Sequence, residues 1–161
     1  MASNSGFTAL DSGWILGGSC NLRAVPGPID WVDVNSSYEG RVTLTADGVD
    51  DPLDLRYRIP KKKADQPSLS LTYRSRNMYR LDVNGNHREQ GKLIPYSTHL
   101  HRARSDDDVT YDPSPLGVPQ IPLGQRVTPA QYRAILNAFA APIGLDLIDL
   151  TWTDPDEGRQ P

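Results

Sequence analysis

From Trp31 onward, apolar and polar residues alternate along the chain with a period of two, the pattern of strands with one buried face. Val42, Leu44 and Ala46 alternate with polar neighbours, and Asp47-Gly48 then marks a turn. Leu53, Leu55, Tyr57 and Ile59 form the next apolar row. Pro60 to Pro67 reads as a basic loop, and Leu69, Leu71 and Tyr73 resume the alternation. In the predicted strand Met78 to Val83, Tyr79, Leu81 and Val83 face the core, so Arg80 and Asp82 point together to the open face. Asn84 to Ser97 is expected to be a loop containing Asn84-Gly85, His87 and Pro95. The following strand, Thr98 to Ala103, carries His99 and His101 on one face. Antiparallel pairing of these two strands would gather Arg80, Asp82, His99 and His101 on one surface. An acidic turn at Asp106 to Asp108 leads to a short Val109–Tyr111 segment, and Pro113 to Pro122 reads as an irregular loop.

The clearest helix follows. Thr128-Pro-Ala-Gln131 matches a capping box with proline at the first helical position, and Val127 and Tyr132 occupy the staple positions. The helix is expected over about 129–141, with Tyr132, Ile135, Leu136 and Phe139 as its core stripe. Pro142 and Gly144 end it. Leu145 to Trp152 reads as a last strand in which Leu145, Leu147 and Ile148 conflict over which face is buried. Before Trp31 the patterning is poor. Trp14 to Leu16 suggests a short strand, and Pro26-Gly-Pro28 suggests a breaker. The sum is an α+β fold: a mostly antiparallel β-sheet covered by at least one C-terminal helix. One domain over 1–153 and a disordered tail over 154–161 are expected.

Composition narrows the function. The chain has 161 residues, 14 prolines and 13 glycines, which suits strands and long loops better than a helical bundle. It has no apolar run long enough to span a membrane as a helix, and the N-terminal stretch lacks the pattern of a signal peptide, so a cytoplasmic location is expected. The lone Cys20 excludes an intrachain disulfide and a cysteine-rich zinc site. Charge is segregated. Leu55 to Ser105 holds twelve Lys and Arg residues against Asp65, Asp82 and Glu89, while the rest of the chain holds five basic and seventeen acidic residues. A basic surface for a polyanion such as RNA is the expectation, formed by Arg56, Arg58, Lys61, Lys62, Lys63, Arg74, Arg76, Arg102 and Arg104. The competing expectation is that acidic segments fold back and neutralise these side chains.

All three histidines, His87, His99 and His101, fall within fifteen residues. Histidine titrates near neutrality and is a common metal ligand, so three readings follow. The first is RNA phosphodiester cleavage without a cofactor: His99 and His101 serve as acid and base, Arg80 holds phosphate, and Asp82 orients an imidazole. Tyr73, Tyr96 and Tyr111 are candidates for stacking bases. The second is a site for zinc or another divalent transition metal, since His-x-His on a strand puts both imidazoles on one face, with His87 or Asp82 completing the set. The third is a non-catalytic nucleic-acid- or protein-binding module of the kind found in phage and defence systems.

The run Tyr79-Arg-Leu-Asp-Val-Asn-Gly85, His87 and Thr98-His-Leu-His101 resembles a motif of small bacterial toxin–antitoxin proteins of the TumE type. The likeness spans about residues 79–102. In that family an Arg-x-Asp strand, a histidine and a His-x-His strand follow one another. Here Arg102-Ala-Arg-Ser and the acidic turn replace the aromatic, glycine-containing stretch that follows His-x-His in the family. The resemblance implies a toxin-like RNA-cleaving protein with Arg80, Asp82, His87, His99 and His101 at the signature positions. It also implies a protein antitoxin that covers the basic face with an acidic segment.

Overall fold

The computed structural model describes residues 6–155. Its frame is an antiparallel sheet built where the period-two alternation is cleanest. The strands are β1 (Arg23–Ala24), β3 (Asp30–Asp33), β4 (Ser37–Thr45), β5 (Leu53–Pro60), β6 (Ser68–Tyr73), β7 (Arg76–Glu89), β8 (Lys92–Ser105) and β9 (Asp108–Asp112). Strands β4 to β9 lie side by side in chain order, and β1 and β3 share the outer edge of β4. Two further short strands, β2 (Gly27–Pro28) and β10 (Leu150–Thr151), pair in parallel.

One face of the sheet carries the core. Leu53, Leu55, Tyr57 and Ile59 of β5, Leu69, Leu71 and Tyr73 of β6, and Tyr79, Leu81 and Val83 of β7 are all buried, as the alternation requires. The helix α2 (Pro129–Ala140) closes over this face with Tyr132, Ile135, Leu136 and Phe139 inward. Thr128 and Gln131 form the expected capping box, and a short 3₁₀ turn, Ala141–Ile143, ends at Gly144 in the left-handed conformation (φ 65°). Two side chains fix the helix to the sheet. The buried Tyr57 hydroxyl donates to the Tyr132 carbonyl at 2.7 Å, and the Tyr79 and Phe139 rings lie 4.8 Å apart.

Several expectations are corrected. Trp14 to Leu16 belongs to a helix, α1 (Ala9–Leu16), whose capping box is Thr8 with Asp11. Its eight residues make only about two turns, too short to show a helical period in the sequence. Pro26 to Pro28 does not merely break structure, because Gly27–Pro28 is the strand that pairs with β10. Leu145 to Trp152 is strand only at Leu150–Thr151; Leu145 is buried and Ile148 is 85% exposed, which settles their competition. Tyr73 lies in the core and cannot stack a base. Of the tail, Trp152 donates its indole N–H to Asp154 and Pro155 is buried, while residues 156–161 lie outside the described range.

The largest correction concerns Asn84 to Ser97, which is not a loop. β7 and β8 continue as a long hairpin closed at Gln90-Gly91, both in the left-handed conformation (φ 49° and 78°) that a tight hairpin turn demands. Asn84-Gly85 looked like the turn, but it is a register shift within the hairpin: Asp82 pairs with His99, then Gly85 with Ser97, then His87 with Ile94. Pro95 and Tyr96 sit in the second shift, where no ladder hydrogen bond is lost to proline.

Candidate functional site

Strand register assembles the site on the open face of the sheet. Arg80 pairs with His101 and Asp82 with His99, so the four side chains share one surface as the alternation predicted. His87 joins them because the shifts in β7 re-aim it. Its ring centroid lies 5.0 Å from that of His99 and 5.4 Å from that of His101, and those two are 5.0 Å apart. One ligand nitrogen from each of the three lies within 4.8 Å of the other two. Tyr111 of β9, in register with His101, stacks on His87 with centroids 3.8 Å apart and planes 5° from parallel.

His99 is the anchor. It is 1% exposed, and its Nδ1 lies 2.8 Å from the Ser97 carbonyl oxygen. A carbonyl only accepts, so Nδ1 carries the proton and donates it there. The other nitrogen, Nε2, faces the Asp82 carboxylate at 3.4 Å. A neutral His99 would therefore set a nitrogen lone pair against an anion in a site shielded from water. That arrangement asks for a cation, which is either a second proton on the ring or a metal ion bound at Nε2.

Its surroundings fit either cation. Burial pushes the Asp82 carboxyl up, but His99 and the Arg80 guanidinium together outweigh it and hold the group below the usual carboxylate range. Arg80 binds Asp82 Oδ1 through Nε (3.1 Å) and Nη2 (2.9 Å), and Nη1 has no protein partner among the described residues. Burial, followed by the neighbouring His99, lowers the His101 imidazole, which favours its neutral, ligand-competent form. Among the described residues, neither His101 nor His87 forms a hydrogen bond through its ring nitrogens. Gly85 is needed for space. A Cβ there would lie 3.2 Å from Asp82 Cβ and 3.6 Å from His99 Cε1.

The expected basic surface is only partly formed, because acidic segments fold back on it. Lys61 bonds Asp33 at 2.8 Å, Arg74 bonds Asp51 at 2.8 Å, and Arg76 and Arg104 reach Asp106 and Asp108. Arg102 lies on the other face, directed at the Leu16 carbonyl. Lys62 and Lys63 are exposed on the loop between β5 and β6. Arg56 and Arg58 alone of the nine lie on the same open face as the histidines. Sequence reasoning missed Arg41, which β4 places on that face beside Arg56, and the space-making role of Gly85. The Asn84-Gly85 pair is the available signal for the second, but it falls in the stretch expected to be a loop.

Comparison with family models, curated proteins and solved structures finds no match to this chain. The reading of the site therefore rests on its geometry.

Proposed function

We propose that this protein is a phosphodiester-cleaving enzyme whose centre is a divalent transition-metal ion held by His87, His99 and His101. The observation that carries the reading is His99: buried, its Nδ1 proton committed to the Ser97 carbonyl, its Nε2 3.4 Å from Asp82, and a ring nitrogen within 4.8 Å of one from each of His87 and His101. A carbonyl bonded to the far ring nitrogen is the usual way a protein orients a ligating imidazole. Three imidazoles with an open position are a catalytic rather than a structural zinc arrangement. Ligand nitrogens about a tetrahedral ion lie ~3.4 Å apart, so seating one draws the rings inward by about an ångström. A bound ion of this class lowers the pKa of its water and polarises a phosphoryl oxygen. Arg80, with Nη1 open toward solvent, supplies the guanidinium that a phosphodiester needs beside that centre.

One observation favours a second reading. The same Asp82–His99 contact is also what an imidazolium held by a carboxylate would make, leaving His101 as a neutral base. That reading is cleavage of RNA without a cofactor. Hydrolysis of bis-p-nitrophenyl phosphate and of RNA, with and without chelator, separates the two. The metal reading predicts loss in chelator and recovery with one particular ion. Undiminished cleavage in chelator contradicts it and favours the acid–base centre.

A further inference from the structure

The registers of five strand pairs join into one row across the open face. Arg41 faces Arg56, Arg56 faces Ser70, Ser70 faces Arg80, Arg80 faces His101, and His101 faces Tyr111. A second row beside it runs Glu39, Arg58, Ser68, Asp82 and His99. Strands are spaced by ~4.8 Å, so Arg56 stands about 14 Å from His101 along the row. Between them β6 contributes only Ser68, Ser70 and Thr72. These short side chains, flanked by arginines, leave a hollow of about 420 Å³ that reaches as far as Arg80.

The hollow is rich in unused donors. Among the described residues the Ser68 and Ser70 hydroxyls make no hydrogen bond. Arg58 has a weak bond to Ser37 (3.3 Å) and no carboxylate partner, and Arg56 reaches Glu39 only at 3.8 Å while 56% exposed. At that distance the pair holds the guanidinium weakly, so phosphate can compete with Glu39, itself 17% exposed, for Arg56. Glu39 and Asp54 line the hollow together with the arginines, and it reaches Arg80, which strand register places beside His101.

We infer that this row is the substrate track, and that the substrate is single-stranded RNA laid across the strands from Arg56 to the histidines. The inference rests on the phosphodiester-cleaving reading above and names its substrate class. Arginines at one end and Arg80 at the other match successive backbone phosphates, and the serine hydroxyls between them suit 2′-hydroxyl groups. A duplex is too broad for a hollow floored by one strand, whereas a single strand lies along it.

The test is fluorescence anisotropy of the purified full chain with a labelled single-stranded RNA octamer and with a dinucleotide. Bis-p-nitrophenyl phosphate hydrolysis is measured beside it, with melting curves to confirm folding. The track predicts that the octamer binds about tenfold or more tightly than the dinucleotide, with an affinity that falls with salt. Arg56→Ala/Arg58→Ala should weaken octamer binding about tenfold and leave hydrolysis of the small diester unchanged. Ser70→Tyr, which fills the hollow, should likewise weaken octamer binding. Octamer binding unchanged in both variants would overturn the track even if the small diester is still hydrolysed. If the small diester is not hydrolysed but the octamer binds in an arginine-dependent way, the track stands and the catalytic reading falls.

Discussion

At the scale of single residues, the site depends on close packing around His99. A methyl group at Gly85 would lie 3.2 Å from Asp82 Cβ, which must give by a few tenths of an ångström, and would touch the His99 ring. We expect Gly85→Ala to keep the fold but weaken zinc binding by about 10- to 100-fold, the usual cost of disturbing a group that orients a ligand. Unchanged affinity by competition titration would refute this. His101 gives a pH signature. Its folded value lies below the ordinary 6.5 because burial and His99 disfavour its charge. The unfolded chain therefore takes up this proton first, so the stability it contributes is full above about pH 6.5 and is lost as pH falls toward the folded value. The urea midpoint of metal-free protein should drop between about pH 7 and 5, and His101→Gln should flatten that slope. An equal slope in the variant would contradict the assignment. Alternation made it legible that Arg80 and Asp82 share one face and that His99 and His101 share another, but the register that pairs the two strands is supplied only by the structure. The position of His87 was not legible, since it depends on two register shifts that no periodic pattern encodes.

At the scale of elements, the helix α2 is the part best written in the sequence. Its cap, staple, core stripe and terminating glycine are all local signals. Thr128→Ala removes the side-chain acceptor for the Gln131 N–H and should cost about 1 kcal/mol in chemical denaturation. Tyr57→Phe removes the hydroxyl that ties β5 to the helix. The Tyr132 carbonyl keeps its helical partner, so the cost should be about 1 kcal/mol rather than that of an orphaned group. A loss beyond about 3 kcal/mol would mean that the hydroxyl supports more than this one bond. The β7–β8 hairpin shows the opposite case. Asn84-Gly85 and Pro95 are strong turn and breaker signals, yet tertiary pairing carries both strands through them and places the true turn at Gln90-Gly91. The helix α1 was missed because its burial is limited to Ser12, Ile15 and Leu16, too short a stripe to show a period.

At the scale of the whole molecule, charge segregated in sequence is largely recombined in space. The basic middle of the chain meets Asp33, Asp51, Asp106 and Asp108 from segments on either side, so a count of Lys and Arg overstated the free positive surface. The face that also carries the histidines holds a narrower set: Arg58, Arg41 and Arg56 beside Glu39, and Arg80 bound to Asp82. No helix among the described residues is long and apolar enough to cross a membrane. The sheet thus buries one face against the core, and the long hairpin brings the three histidines together on the other.

The central claim is that the buried His99 nitrogen, with His87 and His101, holds a metal. The direct measurement is elemental mass spectrometry of the purified protein, beside His99→Ala and after loading with zinc and gel filtration. The account predicts about one ion retained per chain by the natural protein and none by His99→Ala at equal folded content. Retention of no ion by the natural protein after loading, or equal retention by the variant, would contradict it.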